Sequence, residues 1–252
     1  LKQRKYKEIV DLFGVNWHGT FLDIGSDNGV ISYLLRERGG NWSSADLDPQ
    51  AVESIRDLVG SDVYQFDGGP TPFADNTFDG VVIVDFFEHI PNDAEFVAEL
   101  ARIIKPGGFL IANVPHIKPS LLRRFRLAIG QTDEKHGHLR PGYNARTLRN
   151  LLGEHFQIEK QHTYSKFFSE AVDTLVVFAV SLLKRKSGAK AHSQKGVLVT
   201  SQDMKAYKSM FRLYSLIYPI IWLISKLDAL LFFRSGYMLI ASARSLKKDG
   251  IL

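Results

Sequence analysis

Apolar and polar positions alternate in short blocks through the first two thirds of the chain. Thr20-Phe21-Leu22-Asp23-Ile24 is a compact apolar run that stops at Gly25 and reads as a strand. Residues 31–38 then read as a helix. Residues 42–46 form a second strand, and Pro49, suited to the first helical position, opens a helix through 58. Residues 63–66 read as a third strand. Residues 78–85, FDGVVIVD, are a fourth, with the unbroken apolar run of a strand buried on both faces. Asn92 or Asp93 caps a helix to 104, Lys105-Pro106-Gly107-Gly108 reads as a turn, and 109–114 is a fifth strand.

Beyond Pro115 the rhythm loosens into a polar loop that reaches Tyr143. Asn144 caps a helix over 145–155, 157–163 reads as a sixth strand, and 236–243 as a seventh. The alternation predicts an α/β fold: a Rossmann-like, doubly wound, seven-stranded and mostly parallel sheet. Residues 166–234 are surplus to that sheet and read as a helical insertion between its last two strands. Two apolar segments, 167–183 and 210–233, flank a basic linker over 184–196. The expected division is a core over 1–165, a helical cap over 166–234, and a last strand with its tail over 235–252.

Charge sharpens this picture. The net charge is +5. Between Lys166 and Arg234 there are eleven Lys and Arg against four Asp and Glu, a local excess of +7 that leaves −2 for the rest. Basicity is therefore confined to the insertion, and the chain as a whole is not a nucleic-acid-like cation. There is no Cys, which excludes disulfides, zinc-thiolate sites and a cysteine nucleophile. The opening LKQRKYKEIV places charges where a signal peptide needs an apolar stretch, so the expected location is cytoplasmic. A transmembrane helix needs about 20 mostly apolar residues. The longest uncharged run in the second insertion segment, 213–225, has 13 with Pro219 in its middle.

The candidate chemistry starts at the first strand. In Phe21-Leu22-Asp23-Ile24-Gly25-Ser26-Asp27-Asn28-Gly29 a strand ends in a glycine turn before a helix begins, where the backbone can approach a ligand and free N–H groups are on offer. The same pattern also arises from packing alone. Asp46 lies 21 residues after Gly25 at the end of the second strand, where a carboxylate accepts from both hydroxyls of a ribose. Asp48, before Pro49, reads instead as a helix cap. Asp67 closes the third strand, either beside an adenine amine or as a turn residue before Gly68-Gly69-Pro70. A nicotinamide reading fails on the glycines: its second and third positions are Asp27 and Val30 here.

Asp23-Ile24-Gly25-Ser26-Asp27-Asn28-Gly29, Ala45-Asp46-Leu47-Asp48-Pro49, the PFADNTFD run over 72–79, Glu88-His89-Ile90 and Ile104-Lys105-Pro106-Gly107-Gly108 occur in order. Together they resemble the class I S-adenosylmethionine-dependent methyltransferases, in particular the subgroup of ubiquinone-biosynthesis-like enzymes. The resemblance is strong from about Tyr6 to Val114 and weak beyond. It implies S-adenosylmethionine as cofactor. Asp23 and Gly25, with Ser26, would hold the methionine end, and Gly29 would support the turn. Asp46 would take the ribose, Leu47 would pack on the adenine, and Asp67 would meet its amine. Asp85 would face the methionine moiety and the acceptor cleft. Asp27 stands where the family has a glycine, and Asp tolerates left-handed backbone better than most residues.

The candidate bases are His89, His116, His136 and His138. Some quinone O-methyltransferases in the family hold a divalent metal at the spacing of Asp85, Glu88 and His89, although the default reading here is no metal. The second insertion segment is apolar nearly all round, so something must cover it: the protein itself, a twin subunit, or a lipid surface suited to the neighbouring Lys184, Arg185 and Lys186. The expected activity is methyl transfer to a small, apolar or lipid-linked acceptor, with membrane-peripheral contact as an extension. The alternatives are a tRNA methyltransferase and a non-catalytic methyltransferase-like binding module. No interleaved basic and aromatic stripe favours nucleic acid.

Overall fold

The computed structural model describes residues 2–118, 120–128, 137–175, 178, 219, 222–231 and 233–248. His136, the linker over 184–196 and parts of the two apolar insertion segments lie outside them.

Seven strands, β1 (Thr20–Ile24), β2 (Asn41–Asp46), β3 (Val63–Gln65), β4 (Phe78–Val84), β5 (Ile104–Pro115), β6 (Phe156–Tyr164) and β7 (Met238–Ser245), form one sheet in the order β3-β2-β1-β4-β5-β7-β6. Pairing is parallel from β3 through β5, and β7 runs antiparallel to both β5 and β6. The expected doubly wound sheet is thus observed. Its winding reverses between β1 and β4, and in such sheets ligands bind at the carboxyl ends of the strands flanking that reversal.

Helices cover both faces, and β4 explains why its sequence has no polar alternation. Val81 and Ile83 pack with Phe96, Val97 and Leu100 of α4 (Asp93–Ile103) on one side. Val82 and Val84 pack with Ile31 and Leu35 of α2 (Val30–Arg36) and Ile9 of α1 (Lys2–Phe13) on the other. Each face buries a complete layer, so Gly80 to Val84 are all apolar or small, and the one charge, Asp79, lies at the start of the strand, where it pairs with Lys105. Helix α1 was hidden among its charges. Tyr6, Ile9, Val10 and Phe13 recur at helical spacing, and Phe13 stacks on Trp17 with ring centroids 3.8 Å apart.

Caps behave as their residue types dictate. Asp48 accepts the Gln50 N–H at 2.9 Å at the start of α3 (Pro49–Val59). Asn144 accepts from Arg146 and Thr147 in a capping box at the start of α6 (Ala145–Leu152). Asn92 is the N-cap of α4, but its side chain turns to Glu95 instead of the helix backbone. The segment over 105–108, expected as a turn, lies inside β5. It forms an irregularity opposite Asp79, where pairing jumps from Phe78–Ile104 to Gly80–Phe109. Gly107 there has φ of +67°, so the turn chemistry is present but is absorbed into the strand.

The insertion leaves the sheet at Tyr164 and returns at Met238. These two residues pair with each other, and Met238 also pairs with Pro115 at the carboxyl end of β5. Both ends of the insertion therefore sit on the ligand-binding edge. Asp228 fastens them together by accepting the N–H groups of Lys166, Phe168 and Ser169 at 2.7, 2.9 and 3.4 Å. Among the described residues no helix is long and apolar enough to cross a membrane.

Candidate active site

The turn after β1 is shaped by contacts beneath it. Gly25 has φ of +86°, and a β-carbon there would lie 2.3 Å from the Val84 carbonyl oxygen. Only glycine lets β1 pass this close to the end of β4. Gly29, at +78°, begins α2, and a β-carbon would meet the Ile55 backbone at 2.8 Å. Asp27 takes φ of +65°, the left-handed conformation expected of the residue replacing a glycine, and its carboxylate pairs with Lys2 at 3.1 Å.

Asp23 is fully buried below this turn. It accepts from Ser32 of α2, from Ser44 of β2 at 2.7 Å and from Arg36 at 3.5 Å, and Ser32 in turn lies 2.6 Å from Ser26. One carboxylate thus joins β1, α2 and β2. Burial pushes its pKa up, opposed by the Ser32 and Ser44 hydroxyls and the Arg36 charge.

Asp46 ends β2 fully buried and accepts the Asp48 N–H at 3.1 Å. Leu47 follows it, partly buried against the core. Asp67 is exposed and accepts the Gly69 N–H at 3.0 Å, the hydrogen bond of the turn reading. Neighbouring Gly68 has φ of +88°, and a β-carbon on it would meet Ile90 at 2.7 Å and Leu47 at 3.4 Å.

Asp85 follows β4 with φ of +45°, a left-handed conformation unusual for a non-glycine residue. Its carboxylate accepts from Asn113 of β5 at 2.8 Å and from the Lys5 ammonium of α1. Asn113 in turn accepts from the Tyr164 hydroxyl at the end of β6. Burial, with the Asp85 charge second, pushes the Tyr164 phenol far up. This chain of Lys5, Asp85, Asn113 and Tyr164 draws one polar side chain from each of four elements to the same edge. Sequence reading missed Lys5, Asn113 and Tyr164. Lys5 carried no signal beyond being one of several cations in an opening segment that was not read as a helix.

The histidines part company. His116 Nδ1 lies 2.8 Å from the Gly236 carbonyl, where the chain returns from the insertion. His89 Nδ1 lies 3.0 Å from the Gly137 carbonyl, and its ring meets His138 edge-on with centroids 4.9 Å apart. Glu88 is fully buried, and its carbonyl accepts the Leu139 N–H at 2.7 Å. Glu88, His89 and His138 bring one ligand atom each within 4.8 Å of one another. Asp85, grouped with Glu88 and His89 by sequence spacing, is held instead by Lys5 and Asn113.

The Methyltransferase domain family matches residues 22–112. The 2-methyl-6-phytyl-1,4-hydroquinone methyltransferase of Synechocystis sp. is 36% identical over 97 residues, 36% of this chain and 30% of that protein. The demethylmenaquinone methyltransferase of Tropheryma whipplei is 25% identical over 103 residues, 40% of this chain and 43% of that one. The match thus spans less than half the length of either relative. Among solved structures, a SAM-dependent methyltransferase from Methanosarcina mazei superposes with a TM-score of 0.54 over 92% of this chain and 95% of its own, at 15% identity, a likeness of fold. The polar groups at this edge, the buried Asp46 carboxylate and the Lys5–Asp85 ion pair, fit the chemistry of S-adenosylmethionine, which carries ribose hydroxyls and an amino acid zwitterion. Residues 22–112 form a methyltransferase domain of the class I, S-adenosylmethionine-dependent kind.

Proposed function

We propose that the protein transfers a methyl group from S-adenosylmethionine to a small acceptor of apolar or lipid-linked character. Residues 1–165 serve as the catalytic core, 166–234 as a cap, and 235–252 return the chain to the sheet. The observation that carries this reading is the placing of Gly25, Asp46 and Asp85 at the carboxyl ends of three adjacent strands, β1, β2 and β4, where the winding reverses.

When bound, the cofactor supplies a methyl group on a positively charged sulfur. Asp46 takes the ribose hydroxyls, Leu47 lies against the adenine, and Asp67 accepts from its amine without giving up the Gly69 turn. Gly25, Ser26 and Gly29 form the wall beside the methionine end. Asp23 acts through that wall, since Ser32, Ser44 and Arg36 already engage its carboxylate. Asp85 faces the methionine ammonium. Methyl transfer between aligned partners draws its rate chiefly from proximity and exclusion of water. His89, His116 and His138 are the described candidates for taking a proton from the acceptor, with His136 a fourth. The backbone carbonyls at Nδ1 of His89 and His116 fix their rings, and the proposed mechanism assigns them no metal.

The apolar acceptor is supported from two sides. Both relatives are named for quinone-type substrates. The described end of the insertion exposes Trp222, Leu223, Leu230 and Phe233, with Lys226 4.7 Å above the Trp222 ring. Such a mixture suits the surface of an anionic bilayer, from which a lipid-like acceptor would be drawn by a cytoplasmic, membrane-peripheral enzyme. Incubation with S-adenosylmethionine and a panel of a demethylated quinol, a fatty acid and unmodified tRNA, read by mass spectrometry, tests this. Methylation of a lipid-like acceptor is expected. Methylated tRNA, or cofactor binding without transfer to any acceptor, would refute it.

A further inference from the structure

We infer that Lys5 and Asp85 together form a receptor for the α-amino acid zwitterion of the cofactor, with Lys5 the clamp for its carboxylate. The inference rests on the cofactor reading above and adds to it a residue from α1, outside the segment the methyltransferase family matches.

Lys5 is only 5% exposed, unusual for a lysine, and its ammonium reaches Asp85 at the end of β4. Burying a cation is costly unless a counter-charge meets it. The Asp85 side chain remains 34% exposed, so this buried cation borders an open carboxylate at the ligand-binding edge. The amino acid end of S-adenosylmethionine carries one ammonium and one carboxylate on adjacent carbons. Laid against the pair, its ammonium meets Asp85 and its carboxylate meets Lys5, and all four charges gain opposite neighbours. Before the cofactor arrives, Lys5 and Asp85 satisfy one another, so neither is left bare.

Other contacts keep Lys5 in place. One turn earlier on α1, Lys2 pairs with Asp27 in the turn after β1. One turn later, the mostly buried Glu8 pairs with Arg4 and lies 2.7 Å from His162 of β6. Asn113 holds the other Asp85 oxygen. The helix is thus pinned at both ends across the carboxyl edge of the sheet, and Lys5 is positioned from outside the ligand.

Decarboxylated S-adenosylmethionine keeps the ammonium and lacks only the carboxylate, so it isolates the contribution of Lys5. Calorimetry on the full chain should show Lys5→Met weakening S-adenosylmethionine by about tenfold or more while changing the decarboxylated compound by less than about twofold, as expected for one lost charge-assisted hydrogen bond. Lys5→Arg should retain the wild-type discrimination. Equal losses for both compounds would mean that Lys5 only supports α1, and no loss for either would mean that it is irrelevant; each overturns the inference. Should Lys5→Met fail to fold, the wild type decides alone, because equal affinity for the two compounds overturns the inference as well. A wild type that binds neither compound would refute the cofactor reading itself.

Discussion

Asp228 accepts the backbone N–H of Lys166 at 2.7 Å, closing a loop of 62 residues with one carboxylate. It also takes the N–H groups of Phe168 and Ser169, the unsatisfied donors of the helix that starts at 167. Lys166 returns the favour from the other side, donating its ammonium to the Leu231 carbonyl at 2.7 Å. Asp228→Ala should therefore cost about 0.5–2 kcal/mol, the range for a lost helix cap. The effect should be local: faster amide exchange at 166–169 and 227–231 by hydrogen-exchange mass spectrometry, with cofactor affinity unchanged. Equal loss of protection across the sheet would show the insertion to be part of the global folding unit.

Asp46→Ala tests the ribose position. Loss of hydrogen bonds to a charged acceptor should weaken S-adenosylhomocysteine by about 1.5–3 kcal/mol. Calorimetry giving wild-type affinity for the variant would remove Asp46 from the site.

Asp23 carries a pH signature. Its folded pKa is raised above its ordinary 3.8, chiefly by burial. The folded state therefore holds the proton more tightly than the unfolded chain. The stabilising contribution is full below 3.8 and is lost as pH rises through the folded value. Asp23→Asn removes this dependence. In denaturant titrations from pH 3 upward, the wild type should lose stability relative to Asp23→Asn over that window and then run parallel to it. A difference that grows in the opposite direction would mean that the Ser32, Ser44 and Arg36 contacts outweigh burial.

How much of this was legible beforehand depended on whether the signal was local. β4 read cleanly because burial on both faces leaves an unbroken apolar run over Val81 to Val84. The Asp48 and Asn144 caps read from side-chain chemistry alone. Asp23 was legible as a motif residue, but its partners were not, because Ser32, Arg36 and Ser44 become neighbours only once β1, α2 and β2 are packed. Lys5 was invisible for the same reason, since 80 residues separate it from Asp85. Helix α1 was overlooked although Tyr6, Ile9, Val10 and Phe13 mark its buried face, because charges fill the positions between them. The grouping of Asp85 with Glu88 and His89 followed sequence spacing. Folding instead turns Asp85 toward α1 and brings His138 to the other two.

Metal removal should change little. The His89 ring is already positioned by the Gly137 carbonyl. Excess chelator should leave cofactor binding and turnover intact, and His89→Ala should lower the melting temperature more than it lowers kcat. Turnover that vanishes with chelator and returns with magnesium or zinc would assign Glu88, His89 and His138 to a metal instead.

Replacing residues 166–234 with a short turn is the most informative deletion. In the sheet alone, β6 and β7 are antiparallel neighbours, and Tyr164 already pairs with Met238. A tight connection would close them without disturbing register. The strands that bracket the segment meet at Tyr164 and Met238, and Met238 pairs with Pro115 on the edge that carries Gly25, Asp46 and Asp85. The segment's exposed apolar side chains each forgo up to about 1.5–3 kcal/mol of burial when left in water. That energy becomes available when an apolar acceptor or a bilayer covers them. The shortened protein should bind S-adenosylhomocysteine as tightly as the full chain, fail to methylate a lipid-like acceptor, and lose affinity for vesicles containing anionic lipid. Vesicle binding that survives the deletion would place the membrane contact elsewhere. Full activity on an apolar acceptor would show that the cleft selects its substrate without a cap.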